Sequence, residues 1–149
     1  MDILSVVCAY AGFALSVAIW VFTLFRQRFN LRVSFLEVWP ETENQEIIKL
    51  RYRVLFENRS FSDVSVIGMT LLLDGLEFDF LSDSVNITYT ERSLGFPLFL
   101  PAQTGREGCA VVPLPKDIRI ELSTPQTFLI RTTRRTVRLT VSDSIKVGY

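Results

Sequence analysis

Residues 3–25 read ILSVVCAYAGFALSVAIWVFTLF, 23 positions without a charged side chain. At 1.5 Å of rise per residue a helix of this length runs about 34 Å, enough to cross a hydrocarbon core of roughly 30 Å. One segment cannot close a barrel, so only a helix satisfies its backbone groups in lipid. A cleaved signal peptide would carry basic residues before a shorter apolar run and a small-residue cleavage site after it. Here Met1-Asp2 precedes the run and Arg26-Gln27-Arg28 follows it. The reading is an uncleaved anchor with its basic flank over residues 1–29, and one domain over residues 30–149. Arg26, Arg28 and Arg32 follow the run and no basic residue precedes it, so the positive-inside bias places the domain in the cytoplasm and the N-terminus outside.

After the anchor the apolar period changes from helical to two, the mark of strands with one buried face. Leu31, Val33 and Phe35 alternate with Arg32, Ser34 and Leu36 in a strand expected to stop near Trp39-Pro40, before the polar stretch ETENQE. Ile48, Leu50, Tyr52, Val54 and Phe56 then alternate with Lys49, Arg51, Arg53 and Glu57, and Asn58-Arg59-Ser60 is expected to end that strand in a loop. Asp74-Gly75 between two apolar runs signals a two-residue hairpin pairing residues 64–73 with 76–81. A weaker strand is expected at 85–89. LGFPLFLPAQTGREG is read as loop or edge, and residues 109–112 as a short strand. Ile118, Ile120 and Leu122 suggest another, and residues 127–132 and 136–141 a hairpin around Thr133-Arg134-Arg135. Seven to nine short strands with regular turn signals predict an immunoglobulin-like antiparallel β-sandwich, with a small barrel as the alternative.

Composition narrows the chemistry. Sixteen basic and sixteen acidic residues cancel, so no net charge draws the chain toward nucleic acid. Histidine is absent, which removes the commonest general base and metal ligand. Cys8 lies in the apolar run and Cys109 stands alone in the domain, so no intradomain disulfide and no cysteine–histidine zinc site can form. Of the three lysines, Lys49 falls on an outward strand face and Lys116 and Lys146 near strand ends, a poor start for a Ser–Lys dyad. Asp74, Glu77, Asp79 and Asp83 could offer oxygen ligands to a hard cation, but no calcium loop is present and a solvated strand face explains them. No cofactor or metal is expected, and no catalytic residue is assigned.

Two groups of residues remain as candidate contact sites. Arg134 and Arg135 at a hairpin tip, with Arg131 and Arg138 flanking them, could join Arg26, Arg28 and Arg32 on anionic headgroups, at about 1 kcal/mol per residue. The competing explanation is charge that protects sheet edges. In the anchor, Ser5, Ala9, Gly12 and Ser16 recur at helical spacing and make a small-x-x-x-small stripe, a surface for another helix.

The order of a single anchor, a basic flank and then FENRSFSDVSVIGMTLLLDG, PLFLPAQTGREG and FLIRTTRR resembles small bacterial single-pass membrane proteins of unknown function with an N-terminal anchor and an immunoglobulin-like domain. The Asn turn after a strand also resembles the late-embryogenesis-abundant type of sandwich. These resemblances imply the fold and no site residue. The expected function is a non-enzymatic, membrane-anchored β-sandwich that presents a binding or scaffolding surface to another protein beside the bilayer. The alternative is an accessory subunit that packs into a larger membrane complex through its helix.

Overall fold

The structure, a computed structural model, describes residues 2–81, 93–141 and 145–147. Helix α1 (Ile3–Gln27) has no buried residue and is long and apolar enough to cross a membrane. Its hydroxyls bond within the helix: Ser5 Oγ donates to Asp2 O at 2.7 Å, Ser16 Oγ to Gly12 O at 2.8 Å and Thr23 Oγ1 to Ile19 O at 2.8 Å. Such back-bonding lets serine and threonine enter an apolar helix without an orphaned donor.

The remaining elements form a two-sheet sandwich. The first sheet contains β1 (Leu31–Glu43), β2 (Glu46–Asn58), β6 (Thr104–Pro113) and β9 (Lys146–Val147), in the order β6-β2-β1-β9. The second contains β3 (Val64–Leu73), β4 (Leu76–Asp79), β7 (Gln126–Thr132) and β8 (Thr136–Val141), in the order β4-β3-β7-β8, with β5 (Leu98–Leu100) beside the start of β3. Among the named strands pairing is antiparallel except for β9, which runs parallel to β1 at Glu37 and Val38; an isolated bridge between Ser93 and Cys109 is also parallel.

The expected Asp74-Gly75 turn is present, and a second two-residue turn falls at Asn44-Gln45, inside the polar stretch after Pro40. Asp74 and Gly75 take φ values of 49° and 80°, and Asn44 and Gln45 take 53° and 69°. Two successive left-handed residues make the type I′ geometry that matches strand twist. The β7–β8 hairpin also lies where the alternation puts it.

Other expectations are corrected. Pro40 does not end β1, which runs on to Glu43. Among the described residues β9 pairs with β1 only at Glu37 and Val38, so a residue without N–H at position 40 loses no bond to it there. Residues 104–108 belong to β6, which pairs with β2 from Asn58↔Thr104 to Lys49↔Pro113 despite its two glycines. The rest of that stretch is as expected: residues 94–97 and 101–103 are loop, and Leu98–Leu100 is an edge strand after a cis Phe96-Pro97 bond. Ile118, Ile120 and Leu122 form no strand. They lie in a turn-rich connection in which Ile120 and Leu122 pack against the core, so their spacing reflects contact without pairing. The expected strand at 85–89 falls outside the described residues.

The core lies between the sheets. Leu50, Tyr52, Val54 and Phe56 of β2 are fully buried and face Val66, Met69, Leu71, Phe128 and Ile130 of the second sheet. Phe128 stacks on Phe35 at 3.9 Å between centroids and meets the edge of Tyr52 at 5.4 Å. The Tyr52 hydroxyl donates to Gln126 Oε1 at 2.7 Å, joining the two sheets through a buried polar pair. Burying each large apolar side chain contributes about 1.5–3 kcal/mol, against about 1 kcal/mol net for one hydrogen bond. The aromatic cluster therefore dominates stability, and the bond decides how the sheets are aligned.

Burial pushes the Tyr52 phenol well above its ordinary range, and the Gln126 bond offsets only part of that shift. A raised folded-state value means that the neutral phenol is what the fold retains. Its contribution is fully present below the unfolded phenol value near 10 and declines as pH climbs above it. Tyr52→Phe is expected to cost about 1–3 kcal/mol at neutral pH, because the Gln126 amide is left buried without its donor. The variant should also lose stability less steeply above pH ~10. Urea unfolding of the chain in detergent at both pH values measures each effect.

Candidate functional site

The helix-proximal end of the sandwich is where α1, three loops and most of the expected arginines meet. The helix closes with the Arg28 N–H on Phe25 O at 3.2 Å, and three residues later β1 begins. That passage is held on several sides. Asn30 donates its N–H to Ser60 Oγ at 2.9 Å, and Arg59 donates its N–H to Asn30 O at 2.8 Å. Arg134 donates to Gln27 O at 3.2 Å and to Ser62 Oγ. The Arg135 guanidinium sits 4.3 Å from the centre of the Phe29 ring, a cation–π contact. The helix thus enters the domain through a clamped joint.

The loops are fixed by side chains whose parity explains them. Asn58 follows Leu50, Tyr52, Val54 and Phe56 as the next inward position of β2 and is 1% exposed. Its Nδ2 donates to Ser62 O at 2.9 Å, Leu100 O at 3.0 Å and Pro101 O at 3.1 Å, and its Oδ1 accepts the Ser60 N–H at 3.0 Å. Two amide hydrogens thus serve three carbonyls, joining the β2–β3 loop to the β5–β6 loop. Gln103, at φ 56°, adds donations from Nε2 to Arg59 O at 2.7 Å and Ser60 O at 3.0 Å. At the β7–β8 tip, Thr132 Oγ1 accepts the N–H groups of Arg134 at 3.2 Å and Arg135 at 3.0 Å. The tip is therefore pre-set, with its arginine backbone pinned.

Four of the seven arginines read as candidates for headgroup contact, Arg26, Arg28, Arg134 and Arg135, lie at this end. Arg26 on the last turn of α1 and Arg28 just past its end are exposed and form no ion pair among the described residues. Arg134 and Arg135 stand beside them through Gln27 and Phe29. Arg32 departs from the group: it lies on the outer face of the first sheet, 3.7 Å from Glu57, which also takes Arg59 at 3.2 Å. A cross-strand partner on β2 gives it an alternative to headgroups. Arg131 likewise turns to Asp79 at 3.4 Å, across the close approach that Gly68 leaves open.

The helix stripe Ser5, Ala9, Gly12 and Ser16 lies away from this end. Nothing stands within 4 Å of where a Gly12 Cβ would be. Of the acidic group, Asp79 accepts from Thr70 Oγ1 at 2.6 Å and from Arg131, while Asp83 is outside the described residues. Among the described residues no set of three acidic, cysteine or histidine side chains could hold a metal. Participants that were not anticipated include Gln103, Thr132 and Arg59 in the loop bonds and Phe61, which lines a crevice with Phe22, Phe25 and Arg26. The signal for Phe61 is a lone aromatic inside the polar loop NRSFSD, where no strand face needs one.

No protein-family model and no curated protein matches the sequence. Solved structures share the fold. An apo PCuAC domain from PmoF1 superposes with a TM-score of 0.55 at 12% identity, covering 81% of this chain and all of that one. A copper-bound PCuAC domain from PmoF2 gives 0.53 at 9% identity, covering 82% of this chain and all of that one. These similarities establish a PCuAC-like β-sandwich and do not single out the immunoglobulin-like subtype. Copper is held by imidazole, thiolate and thioether ligands. This chain has no histidine, its Met69 is sealed in the core, and Cys8 and Cys109 lie on the helix and on β6. Among the described residues no set of side chains fits the metal.

Two outcomes are expected. Asn58→Ala should lower stability by about 2–3 kcal/mol, since it orphans buried carbonyls, and should raise protease cleavage within residues 59–63. Titration of Cu(I) against a chromophoric chelator should show no stoichiometric uptake by the chain.

Proposed function

We propose that the protein is a membrane-anchored β-sandwich without catalytic chemistry of its own, presenting a binding surface beside the bilayer. The observation that carries this reading is the clamped joint: Arg134 on Gln27, Arg135 on Phe29 and Asn30 on Ser60 hold the sandwich against the end of an apolar helix. With α1 in a membrane, the same joint turns Arg26, Arg28, Arg134 and Arg135 toward the headgroups, and the basic flank favours a cytoplasmic domain. Mechanistically, anchoring raises the local concentration of the domain for partners confined to the same surface. Arg32 belongs to this set only as a peripheral member, because Glu57 already engages it.

A second reading, an accessory subunit packed through α1, draws on the open Gly12 position and the small residues Ser5, Ala9 and Ser16 around it. Gly12→Ile in a membrane association reporter distinguishes the two: a loss of signal favours the subunit, and an unchanged signal favours the solitary anchor.

For the principal reading, residues 30–149 are expected to bind anionic vesicles and not neutral ones, with binding weakened by salt. Replacing Arg134 and Arg135 by Ala should weaken it roughly thirtyfold, as two contacts of about 1 kcal/mol each require. Equal binding to neutral and anionic vesicles would overturn the headgroup contact.

A further inference from the structure

Phe61 has no place in the core, yet its loop is among the most tightly tied in the domain. The ring is 65% exposed. Below it, Asn58 and Gln103 hold the backbone of residues 59–62, and Asp63 Oδ1 accepts the Ala102 N–H at 3.0 Å. The ring is therefore presented outward by a fixed support. It lines, with Phe22, Phe25 and Arg26 of α1, a crevice of about 290 Å³.

The depth of that crevice follows from the helix. Phe22 and Phe25 belong to the uncharged run, and Phe22 lies about 6 Å along the axis from Arg26. A 25-residue helix measures about 37 Å against a hydrocarbon core of roughly 30 Å, so its last apolar turn lies at the core boundary. A ring that shares a crevice with Phe22 and Phe25 stands at the same level. Lipid, and not water, is the medium there. The wall of the crevice also carries Arg26, with Arg28 and Arg134 close by, which makes an apolar slot with a cationic rim. That combination matches one occupant, a phospholipid with an anionic headgroup.

We infer that the loop of residues 59–63 dips into the bilayer interface, with Phe61 beside Phe22 and Phe25 against the upper acyl chain of a phospholipid whose net-anionic headgroup Arg26 binds. This rests on the anchored reading of α1. Phe61 and the helix then make two points of membrane contact, and the sandwich is held at one tilt.

The test uses the full chain in vesicles of phosphatidylcholine and phosphatidylglycerol, with p-benzoylphenylalanine placed singly at position 61, 13 or 76. Phe13 is in the middle of α1, and Leu76 is exposed at the far end of the sandwich. After irradiation, intact mass is expected to show lipid adducts at 61 and 13 and none at 76. The adducts at 61 should be enriched in phosphatidylglycerol over its share of the vesicle, and Arg26→Gln should abolish that enrichment. Adducts at 13 but not at 61 would overturn the inference while the anchor stands. Adducts at neither would overturn both. A cross-link from 61 to a second protein chain would show that a protein covers the crevice, and adducts without enrichment would remove Arg26 from the lipid site.

Discussion

Three residues, Arg28, Phe29 and Asn30, separate the last turn of α1 from the first strand. At most about 10 Å of chain is available to them. The near end of the sandwich must consequently lie against the helix terminus, and its loops must satisfy their polar groups among themselves. Asn58, Gln103 and Thr132 do this, each from a different connection. Arg134 and Arg135 then join the end so formed to the helix exit. With α1 as an anchor, the same short passage makes the orientation of the domain a property of the fold rather than of a linker.

The two sheets meet through side chains whose parity is corrected in β1 and in β3, besides a further register shift at Glu41/Thr42 that brings Ile47 of β2 onto the core. In β1 the inward positions run 31, 33, 35 and then 38, with a register shift between Phe35 and Glu37. In β3 they run 64, 66 and then 69, 71, with a shift between Val66 and Gly68. Each bulge adds one residue, turns Leu36 or Ile67 outward and increases local twist. Without them, a one-residue slip would expose every apolar position that follows. On the outer face of the first sheet, Arg51 meets Glu41, while Arg53 lies between Glu37 and Glu107. The exposed pairs of Arg53 contribute little individually, the Arg51–Glu41 pair is half-buried, and their arrangement favours one strand register over its neighbours.

The likeness to copper-binding domains is one of scaffold. A two-sheet sandwich presents its loops at two ends, and function resides in what those loops carry. Here the loops near the helix carry arginines and an exposed phenylalanine, and the chain lacks the nitrogen ligands that a copper site would use. An interfacial contact is the chemistry that such side chains support.

Several features were determined by local sequence alone. The uncharged run of residues 3–25 dictates a helix because its backbone has no other way to be satisfied in an apolar medium. Asp74-Gly75 dictates a turn, and the alternation through Tyr52 dictates a strand, because both depend on residues adjacent in the chain. Other features were decided only by tertiary structure. The alternation at Ile118, Ile120 and Leu122 indicates which side is buried but not whether a neighbouring strand exists to pair with. Pro40 and the glycines of residues 104–108 are tolerated because of what lies beside them. Asn58-Arg59-Ser60 read as a turn, yet Asn58 is a buried inward position whose amide needs carbonyls some 42 residues away. The grouping of Arg26, Arg28, Arg134 and Arg135, the separation of Arg32 from them, and the placing of Phe61 beside Phe22 all require chain segments remote in sequence to meet. Periodicity along a chain encodes which face is inward, and only packing encodes what that face, or its opposite, will touch.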